Sequence, residues 1–125
     1  YCTDFHNPKK QKQAQVILKE LVLNESPVIS TQVLQEYFVT ATKKLNLESL
    51  MAKELTHNYG ANMEVVLIDQ DLIQEAIDIS ILNKLSFWDA LIVASAEQSQ
   101  CDTLLSEDLT HDQIIRGVKI QNPFK

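Results

Sequence analysis

The segment Ser86-Phe87-Trp88-Asp89-Ala90-Leu91-Ile92-Val93-Ala94-Ser95-Ala96, with Thr103-Leu104-Leu105-Ser106 after it, decides the fold. From Ala90 to Ala96 the first stretch is apolar on nearly every face of a helical wheel, so the helix it predicts over 87–100, opened by Ser86, must be buried. The second stretch is too short for a helix and reads as a buried strand over 103–106. The same pairing recurs upstream. Pro27-Val28-Ile29-Ser30 predicts a strand, and Leu34, Tyr37, Phe38, Ala41 and Leu45 mark a helix after it. A helix over 47–58 follows, with Gly60 in the usual stop position. Met63 to Ile68 predicts another strand, and Asp69 then caps a helix carrying Leu72, Ile73, Ala76 and Ile77. At the start, Asn7 before Pro8 opens a helix over 8–23. At the end come a short turn or helix near 109–115, a strand over 118–120, and Asn122-Pro123-Phe124 as terminator. Short apolar strands alternating with amphipathic helices predict an α/β fold whose parallel sheet is covered on both faces.

Composition narrows the chemistry. The chain has 125 residues, enough to bury one core without staples, and shows no linker or internal repeat, so one domain over 1–125 is expected. Two glycines, Gly60 and Gly117, exclude a Walker loop and a G-x-G-x-x-G turn. A formal charge of −6 disfavours coating nucleic acid by bulk electrostatics, but an acidic protein can process nucleic acid through cations held by its carboxylates. Cys2 and Cys101 are isolated and have no zinc spacing, which fits a reducing cytoplasm. No apolar run reaches the ~20 residues of a membrane span.

Candidate residues follow, each with a plainer alternative. Asp89 sits in a nearly all-apolar helix, where a carboxylate is costly unless paired, capping or metal-bound. The plainer reading is a capping box with Ser86. Asp108 follows the strand 103–106, where open parallel sheets place their ligand crevice, or else caps the turn after it. Glu36 falls roughly opposite the apolar stripe of its helix, the place of a solvated glutamate. Asp69 ends a β-branched run as a receiver aspartate would, but helix capping explains it. His6, His57 and His111 lack metal-ligand spacing, and there is no G-x-S-x-G serine.

Three segments, Ile29 to Tyr37, Leu85 to Ile92 and Leu104 to Leu109, closed by Val118 to Phe124, together resemble the PIN-domain ribonucleases, most closely the toxins of VapBC toxin–antitoxin modules. The resemblance implies a three-layer, flavodoxin-like α/β/α fold and RNA cleavage with Mg²⁺ or Mn²⁺. It implies Glu36, Asp89 and Asp108 as catalytic and metal-holding carboxylates, with Ser106 and Ser30 orienting the site. It also implies an antitoxin partner and a homodimer. The family's first acidic residue ends its first strand, in an Asp-Thr-Asn-like segment. This sequence reads as starting after that point, with Tyr1-Cys2 late in the first helix, so the first strand is expected to be absent. Asp112 stands where relatives often have glycine, which should alter the loop alone.

The mechanism that follows is phosphodiester hydrolysis by clustered carboxylates, whose mutual repulsion a divalent cation relieves. The alternative is a PIN-like protein-binding module without activity.

Overall fold

The structure is a computed structural model and describes residues 2–4, 27–106 and 109–122. The expected helix over 8–23, Asp108 with its neighbour Glu107, and the Pro123-Phe124 terminator lie outside the described residues. Six strands form one sheet among them: β1 (Cys2–Asp4), β2 (Val28–Ser30), β3 (Glu64–Val66), β4 (Thr103–Ser106), β5 (Ile114–Ile115) and β6 (Val118–Gln121). Their order is β3-β2-β1-β4-β6-β5, parallel throughout except for β5, which pairs antiparallel with β6. Four described helices accompany the sheet: α1 (Thr31–Lys43), α2 (Ser49–Asn62), α3 (Gln70–Asn83) and α4 (Phe87–Gln98).

Alternation along the strands builds the layers. Val28 and Leu104 point to one face, where they join Leu72, Ala76 and Ile79 of α3 and Ala90 to Ala96 of α4. Their neighbours Ile29 and Leu105 point to the other face, packing with Val33 of α1 and with Met63, and with half-buried Tyr59 of α2. A strand whose successive residues are both buried needs cover on both sides. The three-layer expectation therefore holds, and α4 is buried from Ala90 through Ala96 as its composition demands.

One expectation is overturned. The strand thought to be absent is β1, at the middle of the sheet between β2 and β4. Cys2 does not fall late in a helix but already pairs with Val28 and Leu104. The reason is length: Cys2-Thr3-Asp4 is three residues with one apolar side chain, too few for a period-2 pattern, and the parallel pairing on both sides supplies what local sequence does not.

Smaller corrections follow the same logic. The 109–115 turn contains a strand, β5, specified by its pairing with β6. Gly60 does not stop α2, which runs on to Asn62. The buried face of α1 is Gln32, Val33, Tyr37, Thr40 and Ala41, while Phe38 is exposed, so the stripe is rotated by buried polar residues that a hydrophobic count ignores. Asp69 is a cap: its Oδ1 accepts from the Leu72 N–H at 2.9 Å. Cys101, in the turn from α4 to β4, is disulfide-bonded rather than an isolated thiol. Spacing along the chain hides that β1 runs beside β4, with Cys2 opposite Leu104.

Candidate active site

The strand order reverses direction at β1: the next strand in the chain, β2, lies on one side and β4 on the other. Open α/β sheets bind ligands beyond the carboxyl ends of the strands at such a switch point. The residues there are Asp4, Ser30 and Ser106. Register sets Asp4 directly opposite Ser106 across the β1–β4 pair. β1 is described by its backbone alone, so Asp4 is placed by position. Ser106 is fully buried, and Ser30 is nearly so.

Ser30 ends β2 and starts α1. Its backbone is extended while its Oγ accepts from the Val33 N–H at 3.3 Å, satisfying one of the donors a helix start leaves open. The hydroxyl that the resemblance read as orienting the site thus acts here as a helix cap. Capping fixes the direction of α1, whose first two turns carry Gln32 and Glu36 on one face. Thr31 contributes from the other side, its Oγ1 accepting from the Ile68 N–H, two residues past β3, at 3.4 Å.

Asp89 lies in the first turn of α4, half-buried, and its N–H donates to Ser86 Oγ at 3.1 Å. Half of the expected capping box is therefore present, and the positive end of the helix dipole favours a carboxylate there. The preceding residue, Trp88, is largely exposed and meets Phe87 edge to face with centroids 5.1 Å apart.

Gln32 joins these two helices. Its Nε2 donates to Glu36 Oε1 at 3.1 Å and to the Trp88 carbonyl at 3.4 Å. Both partners are acceptors, so only the NH₂ end of the amide can face them. Glu36 is tied through Gln32 to the start of α4 and is half-buried, where its place on the wheel predicts a fully solvated side chain. It also borders an open depression with Gln35, Val39, Thr40 and Lys44, so the carboxylate keeps a route to solvent. Gln32 itself is only 5% exposed and its Oε1 has no hydrogen-bond partner, an omission that costs roughly 1–3 kcal/mol.

Of the residues expected from sequence, the structure brings Glu36 and the turn carrying Asp89 together through Gln32. It puts Ser106 and Ser30 at the ends of neighbouring strands on either side of β1. Asp108 comes two positions after Ser106, the last residue of β4, and lies outside the described residues. Sequence reasoning missed Asp4 and Gln32. Asp4 had a signal, an acidic residue followed by Asn7-Pro8 as a helix start, while Gln32 had none beyond its i, i+4 spacing to Glu36. Among the described residues no group of three or more His, Cys, Asp and Glu side chains gathers for a metal. The donor chemistry nevertheless fits: carboxylate oxygens are the ligands Mg²⁺ and Mn²⁺ take, and the amide that bonds Glu36 carries a buried acceptor with no partner.

The chain belongs to the PIN domain family, whose model matches residues 4–116, beginning at Asp4. A similar fold is seen in a toxin–antitoxin complex from Klebsiella pneumoniae, with a TM-score of 0.65 and 21% identity over 94% of this chain and 93% of that one. No curated protein matches the chain.

Proposed function

We propose that this chain is a metal-dependent endoribonuclease that hydrolyses RNA phosphodiester bonds, the toxin of a toxin–antitoxin pair. PIN domains are generally nucleases, and the observation that carries the finer reading is the convergence at the switch point. Asp4 ends the central strand opposite Ser106, while Gln32 draws Glu36 to the turn that carries Asp89. Asp4 takes the place of the family's first acidic residue, so its supposed absence no longer argues for an inactive binding module.

The carboxylates of Asp4, Glu36, Asp89 and Asp108 would hold Mg²⁺ or Mn²⁺. When bound, the ion supplies water activation and charge stabilisation on the phosphate. The chain's own work is to hold the acceptors in place: the Ser86 cap sets the first turn of α4, and the Ser30 cap sets α1. Lys44, beside Glu36 at the open depression, is a cation for an RNA phosphate to meet.

The test is cleavage of a mixed RNA pool in Mn²⁺ by wild type, Asp89→Asn and Asp4→Asn. Each substitution should lower the rate by at least about 100-fold, the scale of removing one charge-stabilising group, and leave the melting temperature in EDTA within ~2 °C of wild type. Retained cleavage by Asp89→Asn would overturn the assignment.

The residues 1–125 are read as one domain. The neighbouring toxin–antitoxin complex supports an antitoxin partner, and a homodimer is supported by the exposed row Ile73, Ile77 and Ile81 on α3, an apolar face that needs cover. Light scattering at two chains per particle checks the dimer. Among the described residues no helix is long and apolar enough to cross a membrane. The cytoplasm is proposed on the antitoxin partnership alone, and the disulfide at Cys101, of a kind that oxidising compartments favour, is the observation that opposes it.

A further inference from the structure

We propose that Gln32 is a positioning residue for the metal site: its buried amide holds the Glu36 carboxylate and the first turn of α4, which carries Asp89, in one fixed relation. The inference rests on the metal-nuclease reading above and adds to it a residue that touches neither metal nor phosphate.

A long polar side chain is seldom as buried as this one, because its rotamer freedom and its hydration are both lost. Gln32 does not recover that cost evenly. Its two Nε2 hydrogens serve two different helices, one bond going to Glu36 Oε1 four residues on and one to the Trp88 carbonyl. Its Oε1 is buried and unmet. An amide whose task is only to join two helices is normally satisfied at both ends, as nearly all buried polar groups are. Here the satisfied end faces the two parts the site needs, and the open end is an acceptor for a water or hydroxyl entering beside them.

The consequence is preorganisation. An amide bonded to a carboxylate oxygen donates to a charged acceptor, the stronger kind of hydrogen bond, and fixes the orientation of the Glu36 carboxylate. Groups that orient metal ligands in this way usually set affinity by about 10- to 100-fold without touching the ion. A residue that merely joins helices would instead lower stability with or without the ion.

The experiment is Mn²⁺ binding to the full chain without RNA, read by calorimetry and by the electron-spin signal of free Mn²⁺, for wild type, Gln32→Met and Glu36→Gln. Methionine keeps the volume and removes both donors. Gln32→Met should bind Mn²⁺ roughly 10-fold more weakly while melting within ~2 °C of wild type in EDTA. Equal affinity would overturn the proposal. If the methionine variant does not fold, the side-chain amide signals of Gln32 in the wild type decide it. They should shift in step with Mg²⁺ occupancy, and signals that stay still while the site fills would overturn it. A wild type that binds no Mn²⁺ removes the metal reading and this inference together. Binding weakened by Glu36→Gln but not by Gln32→Met leaves the metal reading standing and removes Gln32 alone.

Discussion

Two adjacent residues of α1 face opposite fates. Glu36 turns toward the start of α4, and Tyr37 turns into a pocket with Ala41 and Ala52, its ring edge to face with Tyr59 at a centroid distance of 5.0 Å. Burial above all, with Tyr59 adding to it, pushes the Tyr37 phenol up to about 12 from its ordinary 10. The neutral phenol is therefore the form the fold prefers. Its contribution to stability is fully present below pH 10 and is lost as pH rises toward 12. Absorbance of tyrosinate at alkaline pH should show one tyrosine titrating about two pH units late in folded protein and on time in urea; three coincident titrations would refute it. Residue-level reading of the sequence placed Asp89 in the first turn of a buried helix opened by Ser86, as the structure has it. It failed at Glu36, because helical periodicity reports the average burial of a face and cannot see a buried glutamine recruiting a carboxylate from the polar side. It failed at Asp4 for a different reason: a three-residue strand has no pattern to read.

Elements were legible where their apolar content was continuous. α4 and β4 follow directly from Ala90–Ala96 and Thr103–Ser106, and β2, β3 and β6 fall within or close to their expected spans. β1 and β5 are strands by virtue of their partners, so they are visible only once the sheet exists. Gly60 shows how a stop signal is overridden. Read as the end of α2, it lies inside the helix, and a Cβ built there would meet only Leu34 Cδ1 at 3.7 Å, an ordinary contact. A glycine within a helix costs about 0.5–1 kcal/mol against alanine through the freedom it loses on folding. Gly60→Ala should accordingly raise unfolding free energy by that amount in urea melts, with an unchanged slope. Destabilisation instead would mean that Leu34 cannot accept the methyl and that the α1–α2 contact is tighter than 3.7 Å implies.

At the scale of the whole molecule, the chain carries a formal charge of −6, and the proposed metal site would set part of that charge at one end of the sheet. In the proposed site, carboxylates from distant parts of the chain would share the carboxyl ends of the central strands, where like charges repel and oppose folding. A cation that binds only the folded state reverses this cost by mass action, contributing about 2.7 kcal/mol at one hundred times its dissociation constant. For a chain of this length that corresponds to a rise in melting temperature on the order of 5–10 °C. The prediction is such a rise with Mn²⁺, smaller with Mg²⁺ at equal concentration because Mn²⁺ binds oxygen and nitrogen sites more tightly, and none with Na⁺ at matched ionic strength. Ionic screening alone would move all three salts alike, so a differential response isolates specific binding. Asp89→Asn should lose most of the Mn²⁺ increment while keeping, or slightly raising, its melting temperature in EDTA, since it removes one of the repelling charges. A wild type whose melting is indifferent to Mn²⁺ would return the chain to the binding-module reading, with its net negative charge serving a basic partner surface instead of a metal ion.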